Sequence, residues 1–327
     1  MKRVLAFVRR PHVAAGLQLA AVLALLGFLV WAARDVWHDA APRLRDASLV
    51  DLGIALAILA VYYLMFVEGW RRILRSYEIR VPYRIALQAE MLSMLAKYVP
   101  GGVWTPAARV VAMRRAGVTD TSRVIASVLL EAGLSAIAGV AVFLSSLPTV
   151  RGADAPLLPL AIFAVIVLVL LHPAVFRQVA RLVLKPFGST DVPPLPYRTM
   201  LALVVYYGVS WIVGGAALWF LLRSVHADTA ATAIPYLGGV SAVGAIVAVL
   251  SIIAPSGLGV REASMYGLML AVASEGAALG ATVLNRVAIT VVEAALLLAG
   301  VLAWRMRVSD EMDEMRTESE TLRQAAG

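Results

Sequence analysis

The feature that most constrains this chain is a series of apolar runs, each long enough or half long enough to cross a bilayer, separated by short segments rich in arginine. Val13 to Ala33 is the first, behind Lys2, Arg3, Arg9 and Arg10. At about 20 residues it matches the hydrocarbon thickness and exceeds a signal-peptide core, so it reads as an uncleaved span with its N-terminus in the cytosol. Leu52 to Val67, Val124 to Leu147, Leu157 to Leu171, Met200 to Leu222 and Val287 to Trp304 read as further spans. A chain of 327 residues that is 61% hydrophobic and 15% charged, with mean hydropathy +0.83, is too apolar for a soluble domain. The expected fold is an all-α polytopic membrane protein. It would have about six to eight membrane helices, broken or re-entrant segments included.

The net charge of +8 does not call for nucleic acid, because Lys and Arg sit in the gaps between apolar runs, where the positive-inside rule places them. Arg71, Arg72, Arg75, Arg80 and Arg84 mark one cytosolic loop, and His172 to Arg198 another. Both termini are therefore expected in the cytosol. Cysteine is absent, which excludes disulfides and thiolate chemistry. His12, His38, His172 and His226 are too scattered for a metal site. No catalytic triad, phosphate loop or zinc spacing is present, so no enzyme activity and no cofactor is expected.

Two breaks interrupt the apolar pattern. In the first, Lys97-Tyr98-Val99-Pro100-Gly101-Gly102-Val103-Trp104-Thr105-Pro106, the flanking runs Ile85 to Ala96 and Val103 to Met113 are each about half a span. Thr105 followed by Pro106 reads as a helix cap and first-turn proline. Basic residues on both sides favour a hairpin that enters from the cytosol and returns there. The second, Ala254-Pro255-Ser256-Gly257-Leu258-Gly259-Val260-Arg261-Glu262, follows the Gly- and Ala-rich run Ile234 to Ile253. It fits two full crossings or one hairpin from outside. Backbone freed by such breaks is tolerated in hydrocarbon only where it is buried in protein or lines a wet cavity, so each break marks a candidate site.

Parts of the first half recur in the second. Arg123-Val124-Ile125-Ala126-Ser127-Val128-Leu129-Leu130-Glu131-Ala132 resembles Arg286-Val287-Ala288-Ile289-Thr290-Val291-Val292-Glu293-Ala294. Leu74-Arg75-Ser76 and Leu222-Arg223-Ser224 also match, each behind a Tyr-Tyr pair, Tyr62-Tyr63 and Tyr206-Tyr207. The charge rule sends the two Arg-Val helices in opposite directions, as in an inverted repeat of halves about 50–147 and 199–304. A single membrane domain over 1–308 and a short tail, 309–327, complete the expected organisation. Ser309 reads as the cap of a short cytosolic helix, with disorder as the alternative.

Charged residues inside membrane segments need a reason. Arg109 and Arg261 stand close behind the breaks, where free helix N–H groups and a guanidinium together suit a phosphate. Glu131 and Glu293 are acids within spans, read as neutralising those arginines, as exchanging protons, or as protonated links between helices. Glu90 and Lys97, like Arg261 and Glu262, read as local partners. The candidate substrate-binding set is Arg109, Arg261, Glu131, Glu293, Gly101, Gly102, Thr105, Ser256, Gly257, Gly259 and Glu262. Trp70, Tyr98, Trp104, Trp211 and Trp219 read as interface or packing aromatics.

The segments Lys97 to Trp104 and Pro255 to Glu262 resemble the two signature segments of the flippase-like membrane domain of lysylphosphatidylglycerol synthase/flippase proteins. The resemblance extends over roughly Val13 to Trp304. It implies movement of a polar-headed lipid between leaflets of the bacterial inner (plasma) membrane, the lipid being an aminoacylated or other phospholipid or a polyprenyl-phosphate-linked molecule. Only about twenty residues follow the last span, so the lysyl transfer carried out by a soluble domain of bifunctional relatives is not expected here. The expected partner is a membrane lipid and not nucleic acid, with a second copy or a lipid-modifying enzyme as open alternatives for a protein partner. The competing reading is a non-transporting accessory or scaffold for a lipid-modifying enzyme or glycosyltransferase.

Overall fold

The computed structural model describes residues 40–96, 104–150, 195–251 and 257–325, with four isolated positions between 151 and 194; for 301–325 it describes the backbone alone. The spans expected over Val13 to Ala33 and Leu157 to Leu171, most of the linker His172 to Arg198, and the break residues Lys97 to Val103 and Ile252 to Ser256 lie outside these residues.

All regular structure among the described residues is helical: α1 (Leu49–Ser76), α2 (Tyr83–Ala96), α3 (Trp104–Arg115), α4 (Thr121–Ser146), α5 (Tyr197–Ser224), α6 (Ile234–Leu250), α7 (Val260–Met269) and α8 (Glu275–Ala325). Five stretches are long and apolar enough to cross a membrane: Leu49–Ser76, Thr121–Ser146, Tyr197–Ser224, Ala231–Leu250 and Glu275–Gly300. At 14, 12 and 10 residues, α2, α3 and α7 are not. At about 1.5 Å per residue they reach only ~15–21 Å, against ~30 Å of hydrocarbon. The second break is therefore asymmetric, a span-length helix before it and a half-length one after.

The ends of the helices follow from local chemistry. Ser48 accepts from the Asp51 N–H at 3.3 Å and starts α1, and Asp120 accepts from the Arg123 N–H at 3.0 Å and starts α4. α1 closes with Ile79 N–H donating to Leu74 O and Glu78 N–H to Arg75 O, with Glu78 at φ 63°. α5 closes identically, Ala227 N–H to Leu222 O and His226 N–H to Arg223 O, with His226 at φ 58°. Both are Schellman closures. Two helices of 28 residues thus end in the same way, at non-glycine residues in the left-handed region.

Two expectations are corrected. α3 begins at Trp104, so Thr105 and Pro106 lie inside its first turn and Thr105 is not the cap; Pro106 still costs nothing there, since first-turn N–H groups have no intrahelical acceptor. α8 runs unbroken through Ser309 to Ala325, so Ser309 starts no separate helix. Nothing in the sequence from Val301 to Ala325 breaks a helix: it holds neither proline nor glycine.

α1 and α5 pack side by side and run antiparallel, with Ser48 N–H donating to Ser224 O at 2.9 Å near one end and Arg72 over the Tyr206 ring at 4.5 Å near the other. α6 packs on both α4 and α5. Gly238 brings α6 against the backbone of α5: a Cβ there would lie 2.5 Å from Trp211 O. Such approach by small residues is what drives helix association in lipid. Val205, Val209 and Ile212 of α5 and Val249 and Leu250 of α6 are exposed. This is the surface expected of helices whose outer face meets hydrocarbon.

Candidate functional site

Arg109 is the centre of the most polar place in the interior. It is 4% exposed, and its guanidinium binds Glu90 of α2 and Glu131 of α4 through different nitrogens. Its Nε donates to Ser93 Oγ at 3.1 Å. Beneath it lies the Trp70 ring of α1, 4.5 Å from Cζ, whose Nε1–H donates to Ser127 Oγ at 2.9 Å. Four helices meet at one guanidinium. Glu90 and Arg109 lie on the two arms flanking the first break, so this ion pair clamps α2 to α3.

The carboxylates are not fully satisfied. Glu90 Oε2 and Glu131 Oε1 are buried without a hydrogen-bond partner, as is the Tyr207 hydroxyl. Tyr207 of α5 neighbours Glu131 short of a hydrogen bond of normal geometry. It fits because Gly69 leaves room, a Cβ there falling 2.6 Å from the Tyr207 hydroxyl.

The second break is more open. Gly257 and Gly259 take φ of 65° and 83°, left-handed values that favour glycine. The Gly259 N–H donates to Glu262 Oε2 at 2.7 Å, and Glu262 meets Arg286 of α8 at 3.3 Å. Glu262 therefore caps α7 and pairs with Arg286, instead of the expected Arg261. Arg261 is half-buried, its stem against Gly244, within electrostatic reach of Tyr62, Tyr63 and Glu293's neighbourhood. Among the described residues its guanidinium has no hydrogen bond or ion pair. Glu293 accepts from the Tyr63 hydroxyl at 2.6 Å.

The expected residues thus divide into two groups. Arg109 and Glu131 come together, with Glu90; Arg261, Glu262 and Glu293 gather around the second break with Arg286. Thr105, Gly257 and Gly259 flank the breaks; Gly101, Gly102 and Ser256 lie outside the described residues, as does Lys97, the partner expected for Glu90, and Glu90 pairs with Arg109. Sequence reasoning missed Tyr63, Tyr207 and Trp70 as members of these groups. The first two were visible as the repeated Tyr-Tyr pairs. Trp70 is a buried support for Arg109 and not an interface aromatic.

The family model described as lysylphosphatidylglycerol synthase TM region matches residues 17–297. The chain belongs to that family. The match takes in both breaks and the charged residues of both polar groups. No curated protein matches the chain.

Proposed function

We propose that this protein moves a polar-headed lipid between membrane leaflets, with the lipid phosphate held at the second break by Arg261 and the N-terminal N–H groups of α7. The observation that carries this reading is the contrast between the two arginines. Arg109 has its guanidinium taken by two carboxylates and is closed to an anion, whereas Arg261 is half-buried and unpartnered among the described residues. A half-buried charge without a partner among the described residues is suited to a ligand that supplies one. The short arms α2 and α3 are read as a re-entrant hairpin opening to the cytosol. The antiparallel α1 and α5, with matching closures, are read as equivalent helices of an inverted repeat. Arg80 and Arg84 just after α1, and Arg305 and Arg307 within α8 just past its apolar stretch, support a cytosolic position for both termini. Lysyl transfer is not part of the proposal.

The test is reconstitution into liposomes carrying fluorescent anionic, zwitterionic or aminoacylated lipids in one leaflet. Leaflet exchange of at least one class is expected from the wild type. Arg261→Ala should weaken lipid binding by about 1.5–3 kcal/mol, the range of a charge-assisted bond, and slow exchange at unchanged protein level. Arg261→Lys should recover part of it, because an ammonium keeps the charge but loses the planar fork. No exchange of any lipid would leave the scaffold reading, and normal exchange in Arg261→Ala would place the site elsewhere.

A further inference from the structure

We propose that the Glu90–Arg109–Glu131 cluster is a proton-binding site, holding one proton shared between its two carboxyl groups and exchangeable with water. The argument starts from charge. Two carboxylates and one guanidinium are packed together with exposures of 1%, 5% and 4%. Both acids ionised would leave one net negative charge in the membrane interior, a state that burial strongly disfavours. One proton removes it.

The hydrogen bonds say where that proton fits. Arg109 occupies Glu90 Oε1 and Glu131 Oε2, leaving Glu90 Oε2 and Glu131 Oε1 buried and unpartnered. An ionised carboxylate accepts only, so an unpartnered buried oxygen is costly for the charged form and natural for one that carries a proton. The Tyr207 hydroxyl, buried and without a hydrogen bond of normal geometry, stands next to Glu131 from a different helix, where it can accept from a protonated carboxyl or donate to an ionised one. Among the described residues, the titratable groups facing the two carboxyls are Tyr62 of α1, Tyr83 at the start of α2, Arg109 of α3 and Tyr207 of α5. Arg109 is the only cation among them, and none of the others supplies a positive charge. A metal cation would meet the guanidinium already in place, so a proton is the ligand that the cluster suits.

The cluster also clamps the arms of the first break. Loss of the proton would place an unbalanced charge on that clamp and loosen it, which couples protonation to the hairpin. If lipid exchange is driven, a proton taken up or released here is the coupling ion; that clause alone rests on the transport reading.

The test does not depend on transport. Infrared difference spectra of the purified full chain in detergent, recorded from neutral to alkaline pH in water and deuterium oxide, should show the carbonyl band of a protonated carboxylic acid at neutral pH that disappears on alkalinisation. Glu90→Gln and Glu131→Gln each leave one acid for one guanidinium, so each should abolish that band. Tyr207→Phe removes only a hydroxyl and should shift the band; this variant serves where a glutamine variant does not fold. A wild type without the band, a band that survives either glutamine substitution, or one that Tyr207→Phe leaves in place overturns the proposal. Liposome exchange with and without an imposed pH gradient then reads the coupling separately, and loss of gradient dependence in Glu131→Gln is expected.

Discussion

Arg109 shows how one side chain can organise four helices. Its three kinds of partner, carboxylates, a hydroxyl and an indole face, come from α2, α4, α2 again and α1. Removing the cation would strand two buried acids, and breaking a buried pair in this way costs about 3–5 kcal/mol. Arg109→Ala should therefore lower the unfolding temperature in detergent strongly. Glu131→Gln should cost much less, because the Glu90–Arg109 pair remains intact and electrically neutral. Equal losses from the two substitutions would show that the fold depends on both ion pairs together. Trp70→Phe keeps a ring beneath the guanidinium but removes the indole donor to Ser127, whose hydroxyl still donates to Val124 O at 2.7 Å, and a loss of about 1 kcal/mol is expected.

At the scale of elements, helix ends and close approaches decide the packing. Glu78 holds a left-handed conformation that costs a residue with a Cβ roughly 1–2 kcal/mol, and its contact with Arg123 is exposed on the Glu78 side. Glu78→Gly should raise the unfolding temperature slightly, the relief being partly offset by the greater chain entropy of glycine. Gly238 poses the opposite case. A methyl group there meets the Trp211 carbonyl at 2.5 Å, so Gly238→Ala must push α6 off α5 at a cost of about 1–3 kcal/mol. Protein level in the membrane and resistance to thermal aggregation both report the difference. An unaffected Gly238→Ala would mean that α5 and α6 can separate without loss.

For the whole molecule, the antiparallel pairing of α1 with α5 puts their matching closures at opposite ends of the helix pair, and the proposed topology puts them on opposite sides of the membrane. A cysteine-free sequence makes this easy to check. Glu78→Cys should react with an impermeant thiol reagent only from the cytosolic side and His226→Cys only from the other. Reaction of both from one side would rule out the inverted arrangement. Ser48→Cys and Ser224→Cys, joined by a backbone hydrogen bond of 2.9 Å, should cross-link on mild oxidation.

What the sequence determined by itself is what depends on length, hydropathy and local chain chemistry. The spans at Leu52 to Val67 and Met200 to Leu222 sit inside α1 and α5, and Val124 to Leu147 overruns the end of α4 by one residue, because a long apolar run in lipid must satisfy its backbone within the helix. The half-length arms beside the first break were equally legible, since each flanking apolar run is only about half as long as a span requires. Arg109 and Glu131 stood out as charges in apolar surroundings. Tertiary structure alone decided who pairs with whom. Glu90 paired with Arg109 across the first break, Glu262 chose Arg286 over its neighbour Arg261, and Tyr63 reached Glu293 across 230 residues. Ion pairing in a low-dielectric interior is set by which helix faces meet, and adjacent residues on a helix point about 100° apart. No reading of spacing along the chain contains that information.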